Sequence, residues 1–104
     1  MSTFPPTLLD AMHDVNALLQ SGDLRLAHEQ LATIVDENPE CVEALRLLAG
    51  TKQAGGDIDG AEALLRKARA LDPKWTPTLA TLGEFLLNGG RRGEAEPMLR
   101  RAAQ

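Results

Sequence analysis

Every 34 residues the same side chains return to this chain. Gly22, Gly56 and Gly90 form one series, Ala27, Ala61 and Ala95 a second, Leu31, Leu65 and Leu99 a third, and Pro39 and Pro73 keep the same period. A unit of this length cannot bury its own apolar face, so it must stack on its neighbours. The 104 residues hold three units, about 8–41, 42–75 and 76–104, behind an N-terminal extension at 1–7. Three is the usual minimum for a stable stack, and the length fits one domain with a modest core.

Each recurring residue type has a physical reason for its place. The glycines follow amphipathic segments such as Leu8–Leu19 and Leu79–Leu87, where a left-handed backbone ends one helix and turns the chain into the next. Asp23 and Asp57 come directly after a glycine and are predicted to cap the second helix of their units. Alanine one turn later lets two antiparallel helices approach, and the leucine four residues on fills the space beneath it. Pro39 and Pro73 close the units, because the residue before a proline leaves the helical region. Trp75-Thr76-Pro77 reads as the opening of the third unit, with Thr76 as cap, Pro77 at the first helical position and Trp75 stapled against Ala80. The expected architecture is all-α, built of tandem helix-turn-helix repeats.

On these residues the chain resembles the tetratricopeptide repeat family, from about Leu8 to Gln104. The third unit carries Leu79, Leu82-Gly83, Leu86 and Ala95-x3-Leu99, and the second Leu45, Leu48-Ala49, Ala61-x3-Leu65 and Asp72-Pro73. In the first, Asp14 stands where a leucine is expected and Val15 where a small residue is, which predicts a looser helix or an end cap. Lys52 replaces the tyrosine-like residue of the second unit, and Pro97 is compatible with a last helix that begins near Gly93.

The resemblance implies a right-handed α-superhelix whose concave face is lined by the first helix of each unit and holds a peptide or helix of a partner protein. The groove positions it implies are Leu9, Met12, His13, Asn16, Leu19 and Gln20 in the first unit. The second unit contributes Glu43, Arg46, Leu47, Gly50, Gln53 and Ala54, and the third Pro77, Ala80, Thr81, Glu84, Leu87 and Asn88. Chaperone-binding relatives clamp a C-terminal EEVD tail with Lys, Asn and Arg at the positions of Met12, Asn16, Leu47, Pro77 and Thr81, and here only Asn16 is retained. Without the cations, desolvation of the tail carboxylates goes uncompensated, so such tails are not the expected partner.

Other chemistry finds little support in the residues. The formal net charge of -4 opposes nucleic-acid binding, which requires clustered Lys and Arg. His13 and His28 have no cysteine or carboxylate at zinc-ligand spacing, and Asp57-Ile58-Asp59-Gly60 reads as a helix start rather than a calcium loop. The glycine-rich stretches at 54–56 and 89–93 are read as turns, with Arg91 and Arg92 exposed and free to touch an acidic partner. Cys41, the single cysteine, reads as a small packing residue between units. No catalytic group, metal or cofactor is expected, nor a signal peptide or a span of apolar residues for a membrane, and the cytoplasm is the expected compartment.

Two further readings come from the ends of the chain. The next closing proline of the period would fall three residues after Gln104, and no polar capping helix follows. An uncapped last unit is expected to expose Leu86 and Met98 for self-association or for packing against downstream domains. The second unit is similar in style to repeats that precede sulfotransferase or 2-oxoglutarate oxygenase domains in bacterial proteins, which implies an alternative role as the recognition arm of a larger enzyme. Residues 1–40 hold seven acids and only Arg25 as a base, while Arg91, Arg92, Arg100 and Arg101 gather at the other end.

Overall fold

A computed structural model describes residues 6–104. Its six helices are α1 (Pro6–Ser21), α2 (Leu24–Glu37), α3 (Val42–Ala54), α4 (Ile58–Leu71), α5 (Thr76–Asn88) and α6 (Arg92–Ala102). Among the described residues there is no strand. The helices pair as three antiparallel hairpins, α1–α2, α3–α4 and α5–α6, and each hairpin packs on the next within an envelope of 39 × 34 × 21 Å. Besides its neighbours in sequence, α3 touches α5, which aligns the first helices of successive units along one face.

The turns within the hairpins repeat one geometry. Gly22, Gly56 and Gly90 have φ of 84°, 91° and 77°, the only positive values among the described residues. After each glycine the next amide reaches back to the helix just ended: Asp23 N–H to the Leu18 carbonyl at 3.0 Å, Asp57 to Lys52 at 2.9 Å, and Arg91 to Leu86 at 2.9 Å. This pairing satisfies the last carbonyls of each first helix. The second helix then starts on a side-chain cap in two units, Asp23 accepting from the Leu26 amide and Asp57 from the Gly60 amide. In the third unit Arg91 stands at the cap and makes no such bond.

Two buried clusters form the core. Leu8, Val15, Leu31, Ile34, Cys41, Ala44 and Leu48 join the first and second units. Ala49, Ala61, Leu65, Leu82, Phe85, Leu86 and Ala95 join the second and third, and Leu64 packs against both clusters. Ala27, Ala61 and Ala95 are each fully buried, as their small size at the helix contact requires. Gly83 serves the same purpose in the third unit, where an added Cβ would lie 2.7 Å from Leu99 Cγ. Val15, fully buried, takes that place in the first unit, while Asp14 beside it is exposed. Cys41 is buried at the cap of α3, between units.

Several expectations need correction. Helix α5 begins at Thr76, so Trp75 occupies the cap position, Thr76 is the first helical residue and Pro77 the second. A staple requires a residue before the cap, and Trp75 instead lies against Arg46. Pro97 sits well inside α6, beyond the first four amides, and withholds a hydrogen bond from the Gly93 carbonyl. Leu86 is fully buried in the second cluster, so it does not belong to an exposed C-terminal flank. Met98 and Leu99 are half-buried there. Arg91 is not free for an acidic partner, because Glu62 holds it at 2.5 Å and Glu94 at 2.6 Å.

Candidate binding groove

A hollow of about 500 Å³ lies on the first-helix face between α1, α3 and the start of α5. One wall is apolar, with Leu8, Leu9 and Met12 from α1, and Trp75 closes the far side. Leu9 is 61% exposed and leaves its aliphatic surface open at the edge of the hollow. Asn16, Glu43 and Arg46 add polar groups along the floor.

Arg46 organises this site. Glu43, one turn earlier on α3, accepts a hydrogen bond from its guanidinium, and Thr81 of the next unit accepts another at 3.3 Å. Its Cζ lies 5.8 Å from the centre of the Trp75 ring, within the range of a cation–π contact. The Nε is shielded from solvent and has no partner. These contacts bind the second unit to the third and hold a planar cation and an indole ring at fixed orientation beside the hollow. Rigid aromatic and arginine groups of this kind are the residues that anchor protein interfaces.

The groove residues read from sequence fall into four groups. Leu9, Met12, Asn16, Glu43 and Arg46 surround the hollow, and Thr81 supports it through Arg46. Leu19 and Leu47 turn toward the first core cluster and pack there half-buried. His13, Gln20, Gly50, Glu84, Leu87 and Asn88 are exposed, and Gln53, Pro77 and Ala80 are half-buried. Ala54 lines a different cleft, beside the turn between α3 and α4. Sequence reasoning missed Leu8, Glu40, Cys41, Val42 and Asp72, which rim the hollow from the starts of helices and the links between units. Their signal lay in Pro39 and Pro73, which place these links beside the first-helix face.

The electrostatics of the outer face are set by one network. Arg91 and Arg66 hydrogen-bond Glu62 and hold its carboxyl below the usual range, and Arg91 does the same for Glu94. Arg66 also reaches Glu94 at 3.5 Å. Among the described residues no cluster of His, Cys, Asp and Glu could hold a metal ion, and no helix is long and apolar enough to cross a membrane.

Stacked helical hairpins with left-handed glycine turns and a hollow on the first-helix face define a superhelical repeat scaffold. The tetratricopeptide repeat family matches residues 18–82 and 53–104, and the chain belongs to that family. The Yersinia enterocolitica type III secretion chaperone SycD, solved with a peptide of the translocator YopD, is similar in fold, with a TM-score of 0.83 at 24% identity over 98% of this chain and 78% of that one. Pseudomonas aeruginosa PilF aligns at 0.85 and 27% identity over 93% of this chain and 44% of its own. A Thermobaculum terrenum O-GlcNAc transferase mutant aligns at 0.88 and 25% identity over 98% of this chain but only 20% of its own. No curated protein matched the sequence significantly.

Proposed function

We propose that this chain is a protein-interaction module that holds a peptide or a helix of a partner polypeptide in the hollow between α1, α3 and the start of α5. The observation that carries this reading is the juxtaposition of exposed Leu9, half-buried Met12 and Trp75 with the fixed guanidinium of Arg46. An apolar side chain of the partner would seat against Leu9 and Met12, and its backbone or amide groups would meet Asn16 and Glu43. The peptide held by the similar SycD scaffold supports this mode of use.

The test is a selection of peptides against the chain from a random library, with the bound site mapped by amide chemical shifts. Selected peptides are expected to shift α1 and α3, and Met12→Asp or Arg46→Glu to weaken them at least about tenfold, as loss of a central anchor does. Peptides that map elsewhere, or that ignore both substitutions, would remove this reading.

A second reading makes the chain the recognition arm of a larger enzyme, with the sulfotransferase-like and oxygenase-like cases among the alternatives. It is favoured by the fit to a segment covering a fifth of a glycosyltransferase chain. The intact mass of the endogenous protein decides it, because a mass near 11.2 kDa leaves no room for a catalytic domain.

A further inference from the structure

The two junctions between units are equivalent by the 34-residue period, yet one is filled and the other open. Between the second and third units, Phe85 packs 6% exposed in the cluster with Ala61 and Leu65, and the Glu62–Arg91 pair joins α4 to the turn before α6. One period earlier the corresponding residues are Thr51, His28 and Asp57. Threonine lacks the ring, and its hydroxyl is used internally, donating to the Leu48 carbonyl at 2.9 Å and pairing with His28 Nδ1 at 2.9 Å. Between the start of α2 and the turn joining α3 to α4 this leaves a cleft of about 400 Å³, which shares no lining residue with the groove hollow. That volume falls within the range of small-molecule sites, about 300–1,000 Å³.

The lining gives the chemistry of what fits. Leu24 and Ala54 supply apolar surface, and Arg25, His28, Lys52 and Asp57 the polar groups. Asp57 is committed, because its carboxylate accepts from the Gly60 amide at 2.9 Å and faces Lys52 at 3.5 Å. Arg25 is held by Glu29 at 3.5 Å in an exposed pair, and such pairs exchange partners at little cost. Arg25 and Lys52 thus each answer one carboxylate, Glu29 and Asp57, across 3.5 Å, and an incoming carboxylate can engage both cations by exchange with these weak pairs. We infer that this cleft is a second ligand site that takes a small aromatic carboxylic acid. The ring occupies the space that Phe85 fills at the other junction, and the carboxylate meets Lys52 and Arg25.

Titration of the isotope-labelled chain with phenylacetate, followed by amide chemical shifts, tests this assignment. Saturable shifts at Thr51, Lys52 and Gly55 in the millimolar range are expected for a ligand of this size. Thr51→Phe fills the cleft from within and is expected to abolish them, and Thr51→Leu serves the same end if the phenylalanine variant does not fold. Lys52→Ala is expected to weaken phenylacetate about threefold to tenfold, the scale of one charged hydrogen bond, and to leave 2-phenylethanol unchanged. Met12→Asp, in the groove, is expected to leave the titration as it was, so this site and the proposed groove fail or stand separately. Absence of saturable shifts, or shifts that persist unchanged in both Thr51 variants, overturns the assignment.

Discussion

The two ends of the stack are finished differently. On α1, Asp10 and Asp14 are exposed at positions where α3 buries Ala44 and Leu48 and α5 buries Thr78 and Leu82. The first helix thus turns carboxylates outward where the others turn a packing face to the preceding hairpin. On α6 the replacement does not occur: Leu99 and Ala102 are half-buried, whereas Leu65 and Ala68, one period earlier, are 1% and 0% exposed. Leu99 keeps the residue type of an interior position, and no further helix among the described residues covers it. The difference teaches that burial in this fold is set by the neighbouring unit as much as by the residue, and that only the first end has been made polar.

The largest effect expected from this contrast concerns the recurring leucine. Leu65→Ala removes a side chain enclosed on all sides and is expected to cost about 3 kcal/mol, whereas Leu99→Ala is expected to cost about half as much, because part of that side chain already meets water. Denaturant unfolding of both variants measures the gap. Equal losses would show that the last unit is as well enclosed as the middle one.

Next in size is the close approach inside the last hairpin. Valine occupies the Gly83 position in the first unit, so Gly83→Val is the substitution the repeat itself offers. A Cβ there meets Leu99 Cγ and Cδ2 at 2.7 Å, and α5 and α6 must separate or Leu99 must swing outward. Overpacking of this kind is expected to cost about 1–3 kcal/mol, despite the helical propensity gained over glycine. A thermal melt no lower than that of the parent would mean that Leu99 moves aside freely at the open end.

Much of this architecture was legible in the sequence, and the parts that were not share a cause. Gly22, Gly56 and Gly90, the caps Asp23 and Asp57, and the buried alanines answer to local rules of turn and helix, so a period of 34 revealed them. Leu86 and Arg91 were misread because their surroundings come from other helices: Leu86 is enclosed by the second cluster, and Arg91 is claimed by Glu62, 29 residues away. The cap at Trp75 was misplaced by one residue because Thr76 is the better cap former in isolation, and the tertiary position of Arg46 draws the indole instead. Of the groove, the residues on α1 and α3 were readable from the family pattern, while the rim residues between units belong to links that follow no helical period.

A smaller change in stability, with a larger one in association, is expected from Asp14→Leu. The substitution restores to α1 the residue found at the same position in α3 and α5. Because Asp14 is exposed, folding stability is expected to move by no more than about 0.5 kcal/mol. The new leucine makes the first end complementary to the open last end of another copy, a head-to-tail contact that does not close. Light scattering is expected to show stronger concentration-dependent association than in the parent chain. If the variant associates no more than the parent, Asp10 alone suffices to keep the first end from stacking.

The smallest effect concerns the ion network that stands at one junction and is missing from the other. Arg91 holds Glu62 and Glu94 below the ordinary carboxylate range through hydrogen bonds, with Arg66 as the second contributor at Glu62. A carboxyl whose folded pKa lies below its unfolded value contributes its stability above the unfolded value, and loses it as pH falls through the folded one. Junction stability is therefore expected to be intact at neutral pH and to weaken below about 4.5, the ordinary glutamate value. Glu62→Gln removes one of the two titrating partners, so the parent is expected to lose more stability than the variant between pH 7 and pH 3 in urea unfolding, with all other carboxylates common to both. Added salt should narrow the difference, because these groups are only partly buried and solvent ions screen them. An identical loss in both proteins would mean that the junction is held by Phe85 and its apolar neighbours, with the ion pairs only decorating its edge.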